Sequence, residues 1–401
     1  MRCLARSPEK LRNRPWLKDI EVVKGDVLVA KSLLPAMVGI HTAYYLVHNM
    51  SSGESYREKE LLGARNFGNI AKDEGVQRIV YLGGLGGSEK NQHMHSRQEA
   101  GRVLRQSGVP VVELRASVVI GSGSISFEMI RYLTSWFPFI PAPSKTNHPG
   151  QPIGINDLLK ILIASLERNE ISGRIFEIGG PQVIPYPDLM VEYARQRRLW
   201  RPKISLPFYS VSLSALLANW LTPVPYAIAH PLMEELAAPS VVSTQNGAFE
   251  LAGEGELSTY SSSVSHALAR DEYLPKLPWT ASLVTRRPLI KPGVITSGEG
   301  LLIYHRETNV ESASRPLMEI LMGNIIKNWE IEEIEKGLWI RLKQKNSPHG
   351  CLRIEFRLNG RLFIQTSMYE PFGLPGFLWW YVFLPFHKNR FKEMFDRLVH
   401  G

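Results

Sequence analysis

Cysteine is almost missing: Cys3 and Cys351 are the two in 401 residues. Far apart in the chain, they make neither a metal-ligand pattern nor a disulfide framework. No metal site is expected, and a reducing, cytoplasmic setting fits best. Blocks of like charge are missing too. The formal net charge is +9, but Lys and Arg are interspersed with Asp and Glu, which reads as a solvated surface and excludes a nucleic-acid partner. The most apolar stretches are VSLSALLANWLTPVPYAIA and LPGFLWWYVFLPF. The first is interrupted by Asn219, Pro223 and Pro225. The second falls short of the roughly 20 residues of a spanning helix, so no membrane span is expected. No secretory signal is expected. The Arg-rich start carries Glu9 and Asp19, unlike a transit peptide. No internal repeat or low-complexity tract is found.

What is present is an alternation. Apolar runs at Glu21–Val23, Ala43–Val47, Arg78–Leu82 and Pro110–Arg115 read as strands. YREKELLGARNFGNIAKDEG and SRQEAGRVLRQSG lie between them as amphipathic helices closed by Gly75 and Gly108. Strands spaced near 30 residues with helices between predict βαβ units and a parallel sheet. From about 121 to 285 the elements are irregular and predict a second lobe, with a strand in GRIFEIGGP and a helix carrying Pro187 in its first turn. RRPLIKPGVITSGEG, residues 286–300, reads as a linker. Residues 301–401 alternate as strands joined by tight turns such as Asn359-Gly360. One aromatic-rich helix over about Gly376–Val399 ends the chain. The predicted class is α/β, a Rossmann-type doubly wound parallel sheet over residues 1–285, followed by an α+β module.

Gly83-Gly84-Leu85-Gly86-Gly87-Ser88 follows a strand and precedes a helix. It does not have the G-x-G-x-x-G spacing and follows the wrong strand for a pyrophosphate loop. It reads as a flexible turn at the carboxyl edge of the sheet, where glycine permits close approach of a cofactor ring.

Taken together, MRCLARSPEKL, EVVKGDV, AYYLVHNM, RIVYLGGLG, HSRQEAGRVLRQSGVPVVELRASVVIGSGSISFEMIRYL, QPIGINDLL and FEIGGP resemble the atypical short-chain dehydrogenase/reductase family. The nearest branch is the NmrA-like NAD(P)-binding proteins with a START-like C-terminal domain. The resemblance implies a strand, a Gly-rich loop and a helix ahead of the segment that opens this chain, roughly 25–30 residues. Met1 then stands at the start of the second strand. In the order 3-2-1-4-5-6 the first strand is central and carries the anion site. The chain as written is therefore expected to bind NAD(P) poorly or not at all.

The resemblance also implies site residues. Arg6 matches the position that reads the adenosine ribose, where arginine favours NADP over NAD; Ser7 beside it is either a hydroxyl contact or a helix cap. Asp26 and Val27 match the position beside the adenine, or else form a turn. Leu46, with Tyr45 and Val47 at the end of its strand, would line the cofactor channel or else be plain core; Gly83 and Gly84 would face the same channel. Arg115 faces the cofactor or forms a structural ion pair. The family's Tyr-x-x-x-Lys pair is replaced by His93 and Arg97. Imidazole can move a proton near neutral pH, but arginine cannot serve as the base.

The C-terminal strands and helix resemble a START or polyketide-cyclase fold. Trp379, Trp380, Tyr381, Phe383, Phe386 and Phe391 read as core rather than ligand pocket, and the passage between Val310 and Trp329 is shorter than the family pattern. Three functions follow from the resemblance: an NAD(P)-dependent oxidoreductase acting on a small apolar molecule, a non-catalytic cofactor-binding sensor or assembly factor, and a carrier of a hydrophobic ligand. The sequence fixes neither the substrate nor the oligomeric state.

Overall fold

The computed structural model describes residues 1–11, 15–47, 56–86, 92–143, 148–206, 210–221, 226–235, 238–243, 247, 251, 256–273, 295–298, 301–309, 328–335, 339–346, 349–359, 361–371 and 373–400. The chain divides into two units. One comprises Met1–Arg131, Phe139–Asn219 and Val224–Leu277; the other comprises Tyr132–Pro138, Trp220–Pro223 and Pro278–Gly401.

In the first unit, β1 (Arg2–Ala5) and β2 (Glu21–Lys24) are followed by β3 (Thr42–Tyr45), β4 (Arg78–Gly84) and β5 (Val111–Ala116). Later come the short strands β6 (Val119–Ile120), β7 (Ile140–Pro143), β8 (Pro149–Gly150) and β9 (Ile153–Gly154), then β10 (Ile175–Ile178), β11 (Ile184–Pro185) and β12 (Lys203–Leu206). The helices are α1 (Leu34–Met37), α2 (Tyr56–Asp73), α3 (Gln92–Gln106), α4 (Ile125–Trp136), α5 (Ile155–Glu167), α6 (Tyr186–Gln196), α7 (Val211–Leu221), α8 (Tyr226–Glu235) and α9 (Tyr260–Tyr273), the last turns of α4 and α7 being counted with the second unit.

Four strands form one parallel sheet in the order β10-β5-β4-β3. Their apolar runs are continuous because both faces are buried. Tyr45, Ile79, Tyr81 and Val111 pack against Ala64 and Phe67 of α2 and Ala100 and Leu104 of α3. Val80, Val112 and Leu114 point the other way, onto Leu158, Ile161 and Leu162 of α5. The ends of α2 and α3 are set by glycine in the left-handed region, Gly75 at φ +73° and Gly108 at φ +89°. At Gly75 the motif is complete: Val76 N–H bonds Ala71 O at 2.8 Å and Gly75 N–H bonds Lys72 O at 3.1 Å.

β1 and β2 pair with each other in parallel, Cys3 opposite Val22, but form a separate two-stranded sheet. Leu4 and Val27 nevertheless join the same core as Ala43 and Tyr45. Among the described residues the parallel strands thus fall into two pieces, β2-β1 and β3-β4-β5-β10, sharing a core and no ladder. The lobe expected beyond residue 121 is built from α4, α6, α9 and small two-stranded pieces around Phe127, Leu189, Tyr193, Tyr260 and Val264. As the sequence suggests, Pro187 lies in the first turn of α6. Among the described residues no helix is long and apolar enough to cross a membrane.

The second unit holds one antiparallel sheet in the order β13-β14-β18-β17-β16-β15. Its strands are β13 (Ile295–Gly298), β14 (Leu301–Asn309), β15 (Trp329–Glu335), β16 (Trp339–Gln344), β17 (Gly350–Asn359) and β18 (Leu362–Pro371), followed by α10 (Gly373–Val382) and α11 (Leu384–His400). Asn359 pairs with Leu362, the tight hairpin expected there. Ile340, Ile354, Phe356 and Tyr369 of the sheet pack with Trp380, Phe391 and Phe395 of the helices.

Two expectations are corrected here. The passage expected to be linker contributes a strand: Ile295 and Gly298 pair with Tyr304 and Leu301, because a β-branched pair ahead of a close return suits a sheet edge. Residues 286–294 lie outside the described residues. The single terminal helix is two helices parted at Phe383. Pro385 has no N–H to continue the ladder of α10, and instead sits in the first turn of α11. Most of the short passage between Val310 and Trp329 lies outside the described residues.

Candidate functional site

The candidate residues of the first unit stand at the carboxyl ends of its parallel strands. Arg6 is an exposed bend directly after β1, and Ser7 precedes a short 3-10 turn, Pro8–Leu11. After β2 the chain turns at Gly25, where an added Cβ would lie 2.6 Å from both Leu4 Cδ1 and Ser32 O, so only glycine fits. Asp26 then builds the turn. Its Oδ1 accepts Leu28 N–H at 3.0 Å, and its own N–H bonds Ser32 Oγ at 2.9 Å. Val27 is buried in the core and its carbonyl accepts Asn66 Nδ2 at 2.9 Å. Leu46, following β3, is 55% exposed.

Gly83 and Gly84 end β4, and protein side chains fill the space above them. A Cβ on Gly83 would meet the Tyr81 ring at 3.2 Å; on Gly84 it would lie 2.5 Å from Met94 Cε and 3.3 Å from Arg97 Cδ. Arg97 Nη2 donates to Leu82 O at 2.5 Å, and Tyr81 OH donates to Arg97 O at 2.8 Å. The pair clamps α3 to the end of β4. Burial pushes the Tyr81 phenol up to about 12, so it stays a donor at neutral pH. His93 lies in the first turn of α3, and its side chain is outside the described residues, as are Gly87 and Ser88 of the glycine turn.

Arg115 forms the structural ion pair. Its Nε donates to Glu113 Oε1 at 2.7 Å, while Arg105 bonds the other carboxylate oxygen of this fully buried Glu113. Burial lowers the pKa of both guanidinium groups. Among the described residues no group of His, Cys, Asp and Glu could hold a metal ion.

One part of the site had no signal in the sequence. Ser240, 155 residues further along the chain than Leu85, is buried over the glycine turn: its Oγ donates to Leu85 O at 3.1 Å and lies 2.8 Å from Ser117 Oγ. Its backbone bonds Pro149 O and Gln151 N–H. Gln151 Nε2 donates to Gly180 O, and Ser243 N–H donates to Glu177 Oε2. This strap ties the carboxyl ends of β4, β5 and β10 together. Gly86, at φ +94°, allows the approach, since a Cβ there would lie 3.1 Å from Pro239 O.

No family model matches the sequence, and no curated protein matches it. Solved structures do. A nucleoside-diphosphate-sugar epimerase from Staphylococcus aureus superposes with a TM-score of 0.53 at 16% identity, covering 66% of this chain and 89% of that one. A triphenylmethane reductase from Citrobacter, in complex with NADP(H), gives 0.51 at 16%, covering 66% and 90%. An NADPH-dependent quinone oxidoreductase from Escherichia coli gives 0.51 at 18%, covering 67% and 90%. The chain therefore has a Rossmann-like α/β fold of the kind found in NAD(P)-binding reductases and epimerases, with an additional antiparallel-sheet unit.

Proposed function

We propose that the first unit is an NAD(P)-binding scaffold of the atypical short-chain dehydrogenase/reductase type, with the lineage of an oxidoreductase acting on a small apolar molecule. One observation carries this reading: Arg6, Asp26, Leu46 and Gly84 come from four strands and all lie at the carboxyl ends, around the break between β1 and β3. Nucleotides bind outside the carboxyl ends of such sheets, where the strand order reverses. The neighbours that bind or use NADP(H) support the same reading.

In this reading Arg6 faces the adenosine ribose and selects the 2′-phosphate, so NADPH is preferred to NADH. Bound there, the nicotinamide supplies hydride. The chain's own residues provide the walls: Met94 and Arg97 close the space above Gly84, and the Ser240 strap fixes the turn beneath. The grip on the pyrophosphate needs backbone N–H groups between β1 and β3, so the chain alone holds the cofactor weakly. A non-catalytic cofactor-binding role is the second reading, favoured by Arg97, whose guanidinium is engaged with the Leu82 carbonyl.

The test is a fluorescence titration of the full chain with NADPH and NADH, repeated on Arg6→Ala. Preference for NADPH that disappears in the variant supports the reading. Equal response to both nucleotides, or none at millimolar concentration, contradicts it. NADPH oxidation with a panel of quinones and aldehydes separates the enzyme from the sensor.

A further inference from the structure

The end of α6 departs from the pattern set by α2 and α3. It is a complete Schellman motif: Leu199 N–H bonds Ala194 O at 2.8 Å, and Arg198 N–H bonds Arg195 O at 3.1 Å. The residue just past such a helix end takes the left-handed conformation, and α2 and α3 place Gly75 and Gly108 there. After α6 the residue is Arg198, at φ +54°; among the described residues no other non-glycine has a positive φ. A side chain is strained in that region. A cation near a helix C-terminus complements the dipole, but Arg195 and Arg197 already supply one. The helix itself therefore does not account for arginine at 198.

The surroundings of Arg198 do. Charges of both signs are mixed along most of the chain, yet residues 195–203 hold five Arg and Lys with no Asp or Glu. The nearby acids are engaged: Glu192 with Arg195 at 2.9 Å and Asp188 with Lys203 at 2.6 Å. Arg197 and Arg198 are exposed and have no acidic partner among the described residues. Leu199 stands where the motif makes its apolar contact and is half-buried. Trp200 follows it and is 83% exposed; apart from Met1, no large apolar side chain among the described residues is more exposed. Arg201 Nη1 donates to Trp200 O at 2.9 Å, which braces the backbone behind the indole. Ile204 of β12 is 43% exposed.

From these observations we infer that residues 197–204 are a docking surface for an anionic phospholipid bilayer. Arg197 and Arg198 meet the headgroup phosphates, and the Trp200 indole enters the interfacial layer. The charge complementarity is that of free guanidinium groups with a phosphate surface. An exposed indole, apolar with one N–H, suits the boundary between headgroups and hydrocarbon. A single-stranded nucleic acid shares the charge but calls for a row of rings under successive bases; here one ring stands with an aliphatic side chain. Arginine at 198 keeps a second free cation beside the indole and lowers stability, so function and stability pull in opposite directions at this residue.

The experiment is sedimentation of the full chain with vesicles of phosphatidylcholine, alone or with about one third phosphatidylglycerol. Binding to the anionic vesicles is expected, with little to phosphatidylcholine alone. It should be lost at about 0.5 M salt, where screening acts within a few ångströms. Trp200→Ala should weaken it about tenfold and leave the melting temperature unchanged, since the side chain is exposed. Arg198→Gly should weaken it about fivefold, the loss of one cation at the surface, while raising the melting temperature by about 2 °C through relief of the left-handed strain. Arg198→Lys should retain both the binding and the melting temperature of the wild type. No binding to anionic vesicles overturns the inference, as does equal binding by wild type, Trp200→Ala and Arg198→Gly. Equal binding to both vesicle types overturns it too, and so does an Arg198→Gly protein that melts no higher than wild type. A single-stranded oligonucleotide that displaces the vesicles would assign the surface to nucleic acid instead.

Discussion

The imidazole of His387 stacks on the indole of Trp380, with ring centroids 4.7 Å apart and planes 14° from parallel. Trp379 and Phe391 pack around the same imidazole. Its pKa falls to about 4, first because burial disfavours the charged ring and second because Arg390 is near. In the unfolded chain a histidine titrates near 6.5. Between those values the unfolded state binds a proton that the folded state does not. The contribution of His387 to stability is therefore complete above about pH 6.5 and is lost as pH falls toward 4. The melting temperature of the second unit should drop across that window, and His387→Phe should flatten the drop. A wild-type melting curve that does not respond to His387 replacement would contradict this.

Gly101 in α3 faces the buried carboxylate of Glu113. A Cβ at residue 101 would lie 2.6 Å from Glu113 Oε2, and that carboxylate is held by Arg105 and Arg115. Helix propensity favours Ala over Gly by about 1 kcal/mol. Overpacking costs about 1–3 kcal/mol, and here the neighbour is fixed by two ion pairs, so the clash dominates. Gly101→Ala should lower stability to denaturant, measured as a lower urea midpoint with unchanged slope.

Arg97 joins α3 to β4 through the Leu82 carbonyl. Arg97→Met keeps the stem and removes this bond, which costs about 1.5–3 kcal/mol for a charged donor. Thermal unfolding should register the loss. If Arg97 also touches the cofactor, the weak NADPH response should fall together with it.

Ser240→Ala removes the hydroxyl that holds Leu85 and Ser117. Two buried hydrogen bonds of about 1 kcal/mol each are at stake. The expected result is a lower melting temperature and faster amide exchange at Leu85, near the glycine turn, with exchange at β1 unchanged.

The sheet and its helices were readable because buried parallel strands are short apolar runs and because Gly75 and Gly108 end their helices in a conformation glycine adopts freely. The terminal helix was read as one piece because aromatic periodicity runs through Phe383, while Pro385 imposes the break. The strand at Ile295–Gly298 was hidden by the prolines around it. In the site, the positions of Arg6, Asp26 and Gly84 could be read from the ends of strands. What lies over them could not. Met94 above Gly84 and Ser240 above Leu85 are tertiary contacts, and the second spans 155 residues without any local pattern. The roles of Asp26 as turn builder and of Arg115 as partner of Glu113 were each one of two readings open from sequence, and the hydrogen bonds show what those side chains do in the fold.

The central claim is that the parallel sheet is interrupted between β1 and β3 and that the anion grip belongs in the break. Its most direct measurement is the dissociation constant of NADPH for the purified 401-residue chain at fixed ionic strength. Charge-assisted hydrogen bonds to a pyrophosphate contribute about 1.5–3 kcal/mol each, and every 1.4 kcal/mol is about tenfold. Without them the account predicts a constant weaker than about 100 μM. A value of a few micromolar or tighter would contradict it.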